Sequence, residues 1–351
     1  WERGSHITLV RNPNYWKSDP ETGTRLPYLD SVEFRFIPEA EEIVRAFRAE
    51  EVDVIQPPPL PEFVERLEAL EAEGTAVQIR SGPVWEHLNF QFGPGNRNSD
   101  SLNEYQPFRQ AIAFAIDPVV MAQEVGWVPI YSFVDMTADD GPWAQYQQDQ
   151  AKAEELLEDA CALADRDCSL QPPSMVFSTT SNADERPRIA NYLEDTLGRV
   201  GIDVELELED SQLYFGETLD NGTWDVGWWA WVRSPGTSGA IGVLDLFDPE
   251  APPPDGSNYY RWGTPDSSVQ DDAVTRFREV LSIVRTTQDS TQALALAKAA
   301  EQILADSAVV IPIAARPVVG AVWADEVAGY EMNPTQAGHT WNIELWRRID
   351  L

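Results

Sequence analysis

Lysine is nearly absent from this sequence. Of 25 lysine and arginine residues in 351, only Lys17, Lys152 and Lys298 are lysine, and 59 aspartates and glutamates set the net charge at −34. A field of that sign repels phosphate, which excludes nucleic acid as an expected partner. Histidine is also scarce. His6, His87 and His339 lie far apart and, with two cysteines, leave little material for a multi-ligand metal site. No metal and no cofactor are expected. Long hydrophobic runs are missing too. The most apolar stretch, 309–324, is interrupted by Pro312, Arg316 and Pro317, too short and broken to span a bilayer, and reads as a buried strand. No start methionine, charged n-region or apolar h-region opens the sequence, so no signal peptide is visible and the chain reads as soluble.

Enzyme signatures are lacking as well. The segment Gly236-Thr237-Ser238-Gly239-Ala240 lacks the final glycine of a nucleophile elbow and reads as a flexible loop, and no phosphate-binding GxxxxGK[ST] occurs. Carboxylates are so abundant that a neighbouring pair carries no glycosidase signal. Cys161 and Cys168 have neither the CxxC spacing of redox sites nor that of a zinc knuckle. In an oxidising compartment they would close a small disulfide loop; otherwise they are two free thiols.

What is present is an alternation of short β-type runs and helical patterns. Strands are expected over 7–11, 32–37 and 52–55, with a helix over 40–49. Two extended runs, 75–80 and 84–92, are separated by the turn-prone Ser81-Gly82-Pro83. A helix over 108–116 stops and restarts at Asp117-Pro118. A second series follows: helix 151–160, strand 175–179, helix 186–200, strand 202–208 entered through Gly201, a helix around 215–219, then the nearly continuous apolar run 224–232. A run apolar on both faces suits a central strand with cover on each side. Two long helices over 268–285 and 291–305 precede the final strands, and the proline-rich 248–257 reads as an insertion. The fold class is α/β, most simply two lobes of β-α repeats.

Four tryptophans fall within eight residues in Trp224-Asp225-Val226-Gly227-Trp228-Trp229-Ala230-Trp231, at the end of the expected central strand. In open α/β sheets ligands collect beyond the carboxyl ends of strands, and aromatic walls with a few polar groups line small-molecule pockets. Alternation puts Trp228 in the core and Trp229 and Trp231 toward a cleft.

These residues sit within a longer likeness. Gly4-Ser5-His6-Ile7-Thr8-Leu9-Val10-Arg11-Asn12-Pro13-Asn14-Tyr15-Trp16 resembles the "itLvrNpdYW" signature of family 5 extracellular solute-binding proteins, the peptide/nickel-type receptors of ABC importers. Phe47 to Val54 (FRAEEVDV) resembles "l.aGevDv". Phe108 to Asp117 (FRQAIAFAID) resembles "vRqAlayAiD". Trp224-Asp225-Val226 resembles the aromatic-rich "yDv" strand, and Ile311-Pro312-Ile313 the closing "iPl". The likeness implies a two-lobed type II periplasmic-binding-protein fold. Lobe I would hold 1–86, lacking its amino-terminal part, lobe II would hold 87–310, and 311–351 would return into lobe I. Crossovers near 85–89 and 310–315 would act as hinges for closure over a ligand. It further implies a monomeric, non-enzymatic receptor at the extracellular face or in the periplasm, lipid-anchored in its full-length form, that hands its ligand to an ABC permease. A polymer-acting hydrolase and a sensory or chaperone receptor are the alternatives.

In peptide-binding members an aspartate beyond the aromatic strand pairs with the peptide ammonium. Aligned on Pro235, its place is taken here by Trp231, and Ser178-Thr179-Thr180 offers no arginine for a carboxylate; Arg233 is the alternative, either as that arginine or as a surface charge. The ligand classes implied are longer peptides held by their backbone, then oligosaccharides, with nickel last. The expected ligand-lining residues are Trp85, His87 and Asn89 at the first crossover, Trp229, Trp231 and Arg233 facing them, and Asn258 and Tyr260 after the proline loop.

Overall fold

The computed structural model describes residues 1–333, 335 and 338–349; five positions of the expected return segment 311–351 lie outside the described residues. The chain forms two compact units, Trp1–Gly82 with Arg316–Leu351, and Pro83–Ala315. The expected boundaries at 86/87 and 310/311 fall inside strands that run from one unit into the other.

The first unit opens with β1 (His6–Val10) paired antiparallel to β2 (Ser31–Arg35), followed by α1 (Ala40–Arg48), β3 (Val54–Ile55), α2 (Pro61–Glu68) and the first half of β4 (Thr75–Phe90). Helix α1 buries Val44 and Phe47, whose spacing places them on one face. Trp323 stacks on Phe47 with ring centroids 5.0 Å apart and donates its indole N–H to the Phe47 carbonyl. The expected turn at Ser81-Gly82-Pro83 is not a turn: β4 passes straight through it. A Cβ on Gly82 would lie 2.3 Å from the Arg316 carbonyl oxygen, so this glycine permits close approach of two backbones rather than chain reversal.

The second unit contains α3 (Gln106–Ala115), α4 (Pro118–Gln123), β5 (Val128–Pro129), α5 (Gln150–Leu163), β6 (Ser174–Thr180), α6 (Glu185–Arg199), β7 (Asp203–Glu209) and β8 (Val226–Val232). Helices α7 (Gly236–Gly242), α8 (Asp272–Thr286) and α9 (Ser290–Asp306) follow, and β9 (Val310–Trp323) leads back into the first unit. There it pairs with β3, and β10 (Val327–Ala328) pairs with β11 (Arg347–Arg348). Aspartates begin many of the helices: Asp117, Asp149, Asp271 and Asp289 each accept a backbone N–H of the first turn of α4, α5, α8 and α9. Gly201, at φ +90°, ends α6 and feeds β7. Segment 236–242, expected as a loop, is the short helix α7. Cys161 and Cys168 are joined by a disulfide at the end of α5.

Within this unit β8 is central. It runs antiparallel to the second half of β4 and parallel to β6, which in turn pairs parallel with β7. The sheet is therefore mixed rather than a simple series of parallel β-α repeats. Trp228, Leu88, Phe90, Phe177 and Val226 are fully buried in it. Among the described residues no helix is long and apolar enough to cross a membrane.

Candidate functional site

Strand alternation gathers most of the expected site residues on one face of the second unit. In the β4–β8 register Trp85 lies opposite Trp231, His87 opposite Trp229, and Asn89 opposite Gly227. The reverse face carries Glu86 and Trp228. Glu86 is fully buried, pairs with Arg186 of α6 at 2.8 Å, and accepts the Trp228 indole N–H at 2.6 Å. This ion pair ties the back of the two strands to α6.

The front face is roofed by aromatic rings. Tyr260 stacks on Trp229 at 5.7 Å and on Phe247 at 4.9 Å, while Phe133 stacks on Trp85 at 4.9 Å. Trp224 meets Trp229 edge-on at 5.1 Å. Trp85, His87, Asn89, Trp229 and Tyr260 are consequently enclosed. For Trp229 this differs from the expected orientation toward a cleft, because Tyr260, Trp224 and Tyr214 close over it, a cover that strand periodicity does not encode. Trp231, one step further along, is only half-buried and donates its indole N–H to the Tyr260 hydroxyl at 3.1 Å.

Hydrogen bonding inside the cluster defines a proton. The Asn89 amide nitrogen donates to the carbonyls of His87 and Gly227, so its oxygen faces His87 Nδ1 at 2.5 Å as an acceptor. Burial pushes the His87 pKa down to about 3, which leaves a neutral ring with its proton on Nδ1 and a bare acceptor at Nε2. His87 Nε2, Trp85 Nε1 and Trp229 Nε1 are buried without hydrogen-bond partners among the described residues. Asn258 is buried apart from this row of contacts. Its amide donates to the carbonyls of Asp248 and Trp262 and pins the proline-rich loop from which Tyr260 reaches the cluster.

Beyond Trp231, at the carboxyl end of β8, lies a pocket of about 280 Å³ lined by Trp231, Arg233, Ser234, Ser238, Val243 and Leu246, among others. Arg233 is half-buried. Its backbone N–H donates to the Pro83 carbonyl at 2.9 Å, and its Nη2 donates to the Val134 carbonyl at 2.8 Å. The loop bearing Val134 is held from the other side by the buried Glu301 carboxylate, which accepts the Ser132 hydroxyl and the backbone N–H groups of Phe133 and Val134. Glu86, Phe133, Phe247 and Glu301 escaped the sequence reading. A lone carboxylate within the strand run 84–90 of β4 was a signal for Glu86, while the others arrive from distant segments without a local signal.

The architecture that carries this aromatic row is the α/β fold of type II periplasmic binding proteins. Two solved structures share the architecture. NikA from Brucella suis in complex with Fe(III)-EDTA aligns with a TM-score of 0.75 at 19% identity, over 99% of this chain and 66% of that one. The oligopeptide-binding protein AppA from Bacillus subtilis in complex with a nonapeptide aligns at 0.69 and 17%, over 100% and 65%. A model of the bacterial extracellular solute-binding proteins, family 5 (middle), matches residues 1–244, and the chain belongs to that family. Curated relatives are the oligopeptide-binding protein OppA of Bacillus subtilis (strain 168), 24% identical over 322 residues, and OppA of Mycobacterium tuberculosis (strain ATCC 25618 / H37Rv), 23% over 280. These alignments cover 89% and 75% of this chain but 53% and 43% of the relatives, so the chain spans about half the length of the curated proteins it matches.

Proposed function

We propose that this chain is the substrate-binding component of an ABC importer, which captures a peptide outside the cytoplasmic membrane and delivers it to the permease without chemically altering it. The observation that carries this reading is the aromatic row of β4 and β8 continuing into the Trp231–Arg233 pocket. Stacked indole and phenol rings make a rigid apolar wall at small cost in side-chain entropy, and polar groups concentrated at one end orient what lies against it. The naming of the curated relatives as oligopeptide-binding proteins supports a peptide as the solute. In this reading Trp231 and Arg233 touch the ligand directly. Trp85, His87, Asn89, Trp229 and Tyr260 form the wall behind them, and Asn258 sets the loop that delivers Tyr260.

Thermal unfolding against di- to hexapeptides, neutral oligosaccharides and nickel tests it. A ligand present at a hundred times its Kd stabilises by about 2.7 kcal/mol, enough to raise the midpoint by several degrees. Peptides alone are expected to raise it and to be recovered intact. Trp231→Ala is expected to weaken their binding about tenfold with the fold retained. Recovery of cleaved peptide, or a shift produced only by another class, overturns the reading, and an unchanged Kd in Trp231→Ala removes that residue from the site.

A further inference from the structure

One buried carboxylate stands behind both side chains at the mouth of the pocket. Glu301, on α9, has no exposure to solvent. Its Oε1 accepts the backbone N–H groups of Phe133 and Val134 at 2.7 and 2.9 Å, and the Ser132 hydroxyl donates to Oε2 at 2.8 Å. The same hydroxyl accepts the backbone N–H of Asp135. The loop 132–135 is thus folded around a single ionisable group.

Two routes lead from that loop to the pocket. Along the first, the Val134 carbonyl accepts Arg233 Nη2 at 2.8 Å. Along the second, Phe133 stacks on Phe247 at 5.6 Å, Phe247 stacks on Tyr260 at 4.9 Å, and the Tyr260 hydroxyl accepts the Trp231 indole N–H at 3.1 Å. Among the described residues, Arg233 and Trp231 form no other side-chain hydrogen bond. A carboxylate holds such a loop more tightly than a neutral acid does, because each bond it accepts is charge-assisted.

The charges around Glu301 are few. Lys298 lies on the same helix and is paired with Asp135 of the loop at 2.9 Å, and Arg233 interacts electrostatically with Glu301 from the end of β8. Of the other elements packed on α9, α7 and 142–145 carry no charged side chain, and the charges of α8 are exposed. Asp245 of 243–247 is exposed and paired with Arg285. Burial lifts the Glu301 pKa to about 7 against its hydrogen-bond donors and Lys298, so both protonation states are populated near neutrality. Since the group is already sealed from water, a solute entering the pocket adds no desolvation to it and acts on it only through the order of the loop.

We propose that Glu301 is the positioning residue of the capture site, fixing the loop 132–135 and through it the places of Arg233 and Trp231. This rests on the peptide-capture reading and adds control by a proton to it. The ionised carboxylate sets the site for capture, and its protonation slackens the loop and weakens the hold on the solute. By reciprocity, capture expels the proton.

The probe is the pentapeptide best retained by the full chain from a mixed-sequence, histidine-free pool. It is titrated by calorimetry between pH 5.5 and pH 8 into wild type and Glu301→Gln, which keeps the shape and an acceptor oxygen and cannot ionise. The ratio of the two Kd values cancels the titration of the peptide and of every group the two proteins share. At pH 8 the wild type is expected to bind about tenfold more tightly, the difference between a charge-assisted and a neutral anchor, and the ratio is expected to fall to about one by pH 5.5. A carboxylate that merely supports the fold would move the melting midpoint with pH and leave this ratio flat. Ser132→Ala removes a donor that favours the ionised form, so the midpoint of its own Kd profile is expected at higher pH than in wild type; this variant decides the question where Glu301→Gln fails to fold. A flat ratio, a ratio that grows as pH falls, or a Ser132→Ala profile superimposed on that of wild type overturns the role of Glu301 and leaves peptide capture standing. Retention of no pentapeptide overturns peptide capture, and with it the site that Glu301 positions.

Discussion

Replacing Glu301 with glutamine sets two physical effects against each other in one measurable quantity. The carboxylate sits inside the second unit, where desolvation favours the protonated form, yet it accepts bonds from the Ser132 hydroxyl and from the N–H groups of Phe133 and Val134, which favour the charged form. Lys298, itself paired with Asp135, works in the same direction as those bonds, and the guanidinium of Arg233 also interacts electrostatically with the group. Burial outweighs the rest and lifts the pKa from its ordinary 4.5 to about 7. Between those values the folded chain holds a proton that the unfolded chain has released. The resulting stability is fully present below about pH 4.5 and is lost as pH rises through about 7. At 1.36 kcal/mol per pH unit the swing is about 3 kcal/mol. Glutamine keeps the acceptor oxygen for the loop and cannot titrate. The stability of Glu301→Gln relative to wild type should therefore rise by about 3 kcal/mol from pH 4.5 to pH 8, which moves the gap between the melting midpoints by about 10 °C for a unit of this size. Differential scanning calorimetry at half-unit steps reads it. A gap that stays flat refutes the reasoning by showing that the three donors balance burial. A fall in the midpoint of Glu301→Gln relative to wild type as pH rises refutes it more strongly by showing that they dominate.

Arg186→Met should destabilise the second unit by about 3–5 kcal/mol, because it strips the cation from a carboxylate with no exposure to solvent. Adding Glu86→Gln should recover part of that loss, and denaturant melts of the single and double variants check both statements. The Cys161–Cys168 bridge closes a short loop, with a sequence separation of 7. Cys161→Ser/Cys168→Ser should therefore lower stability by only about 2–3 kcal/mol, read as a modest fall in midpoint that reducing agent reproduces in the wild type.

The elements themselves were largely legible in the chain. Asp117-Pro118 marked the start of α4, and Gly201 marked the passage from α6 to β7, while the aspartates that begin α5, α8 and α9 carried the same local signal unread. These signals are local, so a linear reading captures them. The alternation of Trp228 against Trp229 and Trp231 likewise separated the two sides of β8, and the register with β4 sets Trp85, His87 and Asn89 beside the second set. Misreadings arose where a local pattern has two physical uses. Gly82 next to Pro83 looks like a turn, but its missing side chain serves close packing against the Arg316 backbone inside a straight strand. The glycine-rich 236–242 looks like a loop and is a helix, because its backbone packs where side chains would intrude; a Cβ on Gly239 would strike the Ser234 carbonyl.

By itself the sequence determined the α/β class, the acid-rich and lysine-poor surface, the membership of an extracellular solute-binding family, and the strands that carry the aromatic row. Each of these follows from composition, periodicity or ordered motifs, which do not depend on partners far along the chain. Tertiary structure alone decided which members of that row are open. Tyr260, Phe247 and Phe133 come from three separate segments to close over Trp229 and Trp85, and Trp231 and Arg233 remain at the pocket because nothing from elsewhere covers them as fully. It also decided that Arg233 has no carboxylate partner among the described residues while Arg97, Arg186 and Arg285 receive theirs, since ion pairing depends on distances between residues that no spacing along the chain specifies.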